Sequence, residues 1–177
     1  MLSFDNKATC ISLALTASIG FFLSLPLQAA QISSEVYSTN NTYLGNVTFE
    51  DSKYGLLINP HLKGVPAGIH GFHIHEHPDC SNHGMSAGGH FDPNNTHSHQ
   101  GPYGEGHLGD LPVLVIDTQG NAVAPLLAPR LQTKDLQTHT IMIHAGGDNY
   151  SDNPPLGGGG DRIGCGKITH FNEKAMR

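Results

Sequence analysis

An antiparallel β sandwich or flattened barrel is the fold class this sequence predicts, and three observations carry it. Short apolar or alternating runs recur between Gly, Pro, Asn and Asp punctuation, 22 Gly and 11 Pro supply turns, and beyond residue 30 no segment keeps a helical period for three turns. A length of 177 residues favours one domain. The first strand is expected at Ile32 to Thr39, closed by Asn40 and Asn41, and the second at Leu44 to Glu50, where Val47 and Phe49 alternate with polar neighbours. Next come Tyr54 to Asn59, ended by Pro60, and Ile69 to His75, ahead of Pro78 and Asp79. Pro112 to Asp117 stops before Gly120 and Asn121, and Ala122 to Leu127 follows. His139 to His144 runs into Gly146 and Gly147, and Ile163 to Phe171 is last.

Along Gly71 to Glu76 a two-residue period places Phe72 and Ile74 on one face and His73 and His75 on the other. The apolar pair fills the barrel while both imidazoles face outward toward a loop. Thr140 to His144 repeats this, with Ile141 and Ile143 inward and His144 on the face of Met142. Two connections, His77 to Leu111 and Ala145 to Asp161, exceed ordinary hairpin loops and are expected to be functional segments ordered by metal.

Residues 8 to 27 are apolar, with Lys7 before them and Ala29 and Ala30 after, as in a secretory signal peptide cut after Ala29 or Ala30. A membrane span is disfavoured because Ser24, Pro26 and Gln28 interrupt the stretch. The expected organisation is therefore a signal peptide at 1–30 and one domain at 31–177, exported. Removing 1–30 takes away one Lys, one Asp and Cys10, and leaves the net charge at −6. That charge disfavours nucleic acid and acidic membrane surfaces as partners. The remaining cysteines, Cys80 and Cys165, are expected to form a disulfide in an oxidising compartment. The alternative is a pair of thiolate ligands for a zinc site that the histidines already supply.

Histidine is the compositional outlier, since all 13 lie beyond residue 60. His73, His75, His90, His99, His107 and Asp110 crowd one stretch, and His144 joins from a later run. This exceeds what one tetrahedral zinc uses, and the economical reading is two adjacent ions sharing a ligand, a redox copper beside a zinc.

The motifs HGFHIHEH, AGGHFDP, HQGP, GHLGDLP, MIHAGGD and GGGGDRIGC occur in that order. Together they closely resemble the copper,zinc superoxide dismutases, especially the exported bacterial kind, over roughly residues 35 to 170. The resemblance implies a Greek-key β fold, a periplasmic location, and a monomer or homodimer. It implies one copper held by His73, His75, His90 and His144, and one zinc held by His90, His99, His107 and Asp110, with His90 shared as an imidazolate. His97, two residues before His99, is set aside because His99 directly precedes the Gln-Gly-Pro of the zinc-loop pattern.

Asp148 matches a carboxylate that orients one ligand of each metal, Arg162 a guanidinium that docks superoxide, and His70 a loop-tying histidine. The implied reaction converts two superoxide anions and two protons to oxygen and hydrogen peroxide by copper redox cycling, with zinc holding His90. Steering of the anion is expected from the local metal and Arg162 charges, because neither the Ser81 to Gly89 segment nor Ala145 to Gly160 carries a Lys, and Lys53, Lys63 or Lys134 can substitute only if the fold brings them near. Two competing readings are a non-catalytic copper and zinc buffering protein of the same fold and a zinc hydrolase with an open ligand position. The run Gly157 to Gly160 reads as a flexible loop, since no Lys-Ser/Thr or helix follows to make it a phosphate site.

Overall fold

A computed structural model describes residues 32–122 and 124–170, and the expected signal peptide at 1–30 lies outside these residues. The strands are β1 (Ile32–Ser38), β2 (Tyr43–Ser52), β3 (Gly55–Leu62), β4 (Gly68–His70), β5 (Phe72–His75), β6 (Leu114–Ile116), β7 (Leu126–Ala128), β8 (Thr140–His144) and β9 (Arg162–His170). Seven form a curled antiparallel sheet in the order β5-β8-β9-β1-β2-β3-β7, and β4 pairs with β6 apart from it. The fold is all-β with Greek-key connectivity. No helix among the described residues is long and apolar enough to cross a membrane.

Alternation decides which side chains fill the barrel. Phe49, Ile58, Phe72, Ile74, Ile141 and Ile143 are buried in one cluster, closed at its ends by Leu114, Leu131 and Leu136. Truncating one of them, Ile74 for instance, to Ala costs about 2–5 kcal/mol. Met142 faces the other way and packs with Ala87, Cys165 and Cys80. That second cluster seats the disulfide between Cys80 and Cys165, which ties the first long connection to β9 across 85 residues. By loop-closure entropy such a link contributes about 4–5 kcal/mol.

Three expected strands differ from the observed ones, the first being β3, which runs through Pro60 to Leu62 with Pro60 opposite Val47. The run Ile69 to His75 breaks at Gly71, leaving His70 in the β4–β6 pair and Phe72 to His75 in the large sheet. There the His144 N–H of β8 still donates to the Gly71 carbonyl at 2.9 Å, but the Gly71 N–H donates to the Gly146 carbonyl at 2.7 Å, so the loop after β8 takes one of the bonds a continuous strand would have made. Within Ala122 to Leu127, a bridge from Ala122 to Leu62 is the one pairing before β7 among the described residues. Pro125 has no N–H to extend that ladder. Short 3-10 turns at Met85–Ala87 and Pro155–Gly158 lie in the two long connections, neither of which contains a strand.

Candidate metal centre

Strand β5 carries His73 and His75, and neighbouring β8 carries His144, so three imidazoles stand on paired backbone. The β8–β9 register shifts between Ile143 and His144, a bulge that re-aims the side chain and sets His144 opposite Arg162. His90 enters from the first long connection, whose backbone hangs on β5. The Phe91 N–H donates to the Ile74 carbonyl at 2.9 Å, the Ile74 N–H to Gly109 at 2.9 Å, and the Gly109 N–H to Phe91 at 2.8 Å. This lacing requires glycine at 109, because a Cβ would collide with the Ile74 carbonyl and lie 2.8 Å from the Phe91 nitrogen. The outward histidine face of β5 is thus roofed, and His73 and His75 are completely buried.

Two groups of side chains result. In one, a nitrogen from each of His73, His75, His90 and His144 lies within 4.8 Å of the others, and in the second the same holds for His90, His99, His107 and Asp110. His90 belongs to both. Hydrogen bonds on the far side of each ring fix which nitrogen is free. The carbonyls of Gly88 and Gly160 accept from Nδ1 of His75 at 3.0 Å and of His144 at 3.2 Å, which leaves Nε2 of both as a lone pair. For His73 the pattern reverses, since its Nε2 donates to Asp148 Oδ2 at 2.7 Å and its Nδ1 is left.

The free atoms are the observation that tests metal binding. His73 Nδ1 and the Nε2 atoms of His75, His90 and His144 are buried with no hydrogen-bond partner. Buried nitrogens without partners are costly, and four converging at one point fit a cation. On the other side of His90, Asp110 Oδ1 faces Nδ1 of His90 at 2.9 Å, of His99 at 3.0 Å and of His107 at 3.3 Å. Ligands on a tetrahedral zinc at 2.0–2.1 Å stand about 3.3 Å apart. Three nitrogens and a hard oxygen suit zinc, while an all-imidazole group suits copper.

Asp148 joins the groups, accepting from His73 at 2.7 Å and from His99 Nε2 at 2.8 Å. Gly157 leaves room for it, since a Cβ there would clash with Asp148 Oδ1, and its φ of +73° is in the left-handed region. Burial holds His73 down to about 3 and His144 to about 4, and keeps His75 and His90 below the usual imidazole range. His99 goes the opposite way. Burial opposes its charge, but Asp110 and Asp148 outweigh that and raise it to about 9. Burial would raise both carboxylates, yet the histidines beside them hold Asp110 and Asp148 well below the ordinary carboxylate value.

A cleft of about 590 Å³ opens onto His90 and His144 and is lined also by Arg162, His83, Met85 and Asp161. Arg162 donates from Nη1 to the Gly84 carbonyl and from Nη2 to the Gly88 carbonyl, both at 2.6 Å. Gly88 therefore holds both Arg162 and His75. Of the two neighbouring histidines, His99 is buried in the second group, whereas His97 is exposed and belongs to neither. His70 spans the carbonyls of His144 at 2.7 Å and Pro66 at 2.8 Å.

Three further residues hold the site and escape a reading of the sequence. Arg130 donates to the carbonyls of Gly101, Pro102, Gly106 and His107. Tyr150 donates its N–H to Asp148 at 2.7 Å, and its phenol oxygen accepts the Val113 N–H at 3.0 Å. Asp152 accepts the His99 N–H at 3.1 Å. Apart from the turn bond between Tyr150 and Asp148, two residues apart, their partners lie 23 to 53 residues away, and no local spacing marks them.

Known proteins resemble this chain throughout the described region. The family model for Copper/zinc superoxide dismutase matches residues 43–168. A "Superoxide dismutase [Cu-Zn]" of Legionella pneumophila is 56% identical over 142 residues, 79% of this chain and 88% of that protein. Among solved structures, the Cu/Zn superoxide dismutase from Brucella abortus has a TM-score of 0.74 at 38% identity, covering 78% of this chain and 99% of its own. The monomeric copper, zinc superoxide dismutase from Salmonella enterica has a TM-score of 0.69 at 45% identity, covering 79% and 100%.

Proposed function

The chain belongs to the copper/zinc superoxide dismutase family, and from that premise we propose that His73, His75, His90 and His144 hold copper, that His90, His99, His107 and Asp110 hold zinc, and that Arg162 docks the substrate. The protein is a superoxide dismutase, converting two superoxide anions and two protons to oxygen and hydrogen peroxide. When bound, copper supplies a one-electron redox couple and zinc a fixed positive charge on the far side of His90. The observation that carries the residue assignment is the set of buried, unpartnered imidazole nitrogens on either side of one shared ring.

Arg162 has two of its nitrogens pinned to carbonyls, and its charge faces the cleft beside His144. A planar guanidinium held this way attracts a small anion and orients it. His90 Nε2 is the atom that takes and returns a proton, while its Nδ1 stays directed at the zinc group and keeps the ring in place. Asp148 fixes His73 and His99 at one angle to each other, so neither ring turns when His90 changes protonation.

The two ligand groups support a reading of one copper and one zinc per subunit. Export after removal of residues 1–30, to the periplasm, agrees with the apolar stretch at 8–27 and with the disulfide. The subunit acts as a monomer or a homodimer. Metal analysis of the purified protein with a superoxide-consumption assay tests the assignment, with equimolar copper and zinc expected. Arg162→Ala should keep both metals and lose about 10²-fold in kcat/KM. Loss of metal in that variant, or unchanged turnover, would remove Arg162 from the substrate site.

A further inference from the structure

We propose that His83 and Met85 form a docking site for Cu(I) at the mouth of the cleft, from which the ion passes inward to the four-histidine group. The proposal rests on the copper assignment above and adds two residues that take no part in it. His90 and His144 line the cleft, whereas His73 and His75 are completely buried and do not. An ion bound for that group therefore meets His90 and His144 first, and to reach them it passes His83 and Met85.

The two outer residues are presented rather than packed. Met85 is 59% exposed, while Met142, the other described methionine, is completely buried. His83 is also exposed. They flank Gly84 in a loop where Asn82, His83 and Gly84 have φ of 52°, 53° and 80°, three successive left-handed residues of which two are not glycine. Such a backbone persists only where its surroundings enforce it. Here the disulfide anchors Cys80, the Gly84 N–H donates to the Cys80 carbonyl at 3.1 Å, and Arg162 holds the Gly84 carbonyl at 2.6 Å. The loop that positions Arg162 thus also carries an imidazole and a thioether in the cleft wall.

That donor pair selects the ion. Thioether sulfur is soft and prefers Cu(I), and it competes poorly for zinc, which finds a carboxylate oxygen and three imidazoles deeper in. Asp161 in the same wall offsets the Arg162 charge, and no Lys adds to it in the cleft lining. Passage inward is a ligand exchange in which bonds to Met85 Sδ and His83 break as bonds to the inner imidazoles form. No electron changes hands.

Ag(I), a redox-inert analogue of Cu(I), tests the site on the fully loaded enzyme reduced to its diamagnetic form. One equivalent should shift the Met85 methyl and His83 ring resonances together without releasing copper or zinc, and Met85→Leu should abolish the shift. In the second arm, zinc-loaded, copper-free protein receives copper from a Cu(I) chelate. Entry should be several-fold slower in Met85→Leu and His83→Asn, with the same final copper content and the same turnover once filled. Unmoved resonances, or an unchanged entry rate, would overturn the proposal. Failure of the copper assignment itself shows separately, as wild-type protein that never takes up one equivalent.

Discussion

The two ligand groups that share His90 are built in different ways. His73, His75 and His144 stand on β5 and β8, whose ladder and apolar reverse face hold them before any metal arrives. His99, His107 and Asp110 come from an irregular connection, and hydrogen bonds from Arg130, Tyr150 and Asp152 take the place of a ladder. Charge differs as well. The strand-borne group is all imidazole and burial keeps it neutral, whereas the loop-borne group contains a carboxylate that draws a proton onto His99. A neutral, rigid cage suits an ion that changes its own charge during turnover, and a charged, tethered loop suits an ion that does not.

The largest consequence of this contrast is acid lability. His99 in the metal-free protein holds its proton up to about 9, so zinc has to displace it, and zinc affinity should fall about tenfold for each pH unit between 8 and 5. His73 and His144 take up protons only near 3 and 4. Dialysis at stepwise lower pH should therefore remove zinc before copper, and the reverse order would break the comparison. The sign for folding is separate. A raised His99 stabilises the metal-free protein fully below 6.5, and that contribution is lost as pH rises through about 9.

Next in size is Asp148→Asn, which cuts the only carboxylate shared by His73 and His99 among the described residues. Chelator competition should show zinc affinity falling about 10–100-fold, with copper affinity, supported by the sheet, falling less. Equal losses would mean that the strands give the four-histidine group no independent rigidity. Arg130→Met comes third. It frees four carbonyls of the loop-borne group and should lower the denaturation free energy by about 2–3 kcal/mol, read from urea midpoints, and weaken zinc retention while copper retention stays put. The smallest effect is expected from Tyr150→Phe. It leaves the Val113 N–H without its phenol acceptor, costs about 1 kcal/mol, and should loosen zinc a few-fold, seen also as a shift of the His99 N–H proton resonance.

Every member of both groups was named in the sequence, through the family resemblance that the ordered motifs carry. The alternation in Phe72 to His75 marks the face His73 and His75 occupy, and the Gln-Gly-Pro after His99 separates it from His97, which stands exposed. The break at Gly71 was not legible, because its cause is a carbonyl of residue 146 on another connection. Nor were Arg130, Tyr150 and Asp152, whose side chains act on backbone atoms far along the chain and leave no pattern of their own.

By itself the sequence determined what acts locally: the period-two strands, the turn residues, and which side chains carry lone pairs for metal. Only the tertiary structure decided which nitrogen of each ring is free, since that depends on carbonyls of Gly88 and Gly160 and on the carboxylate of Asp148. It also decided that Gly88 serves both His75 and Arg162. Tautomer and orientation are set by whatever lies across a hydrogen bond, and across this site that is nearly always a distant part of the chain.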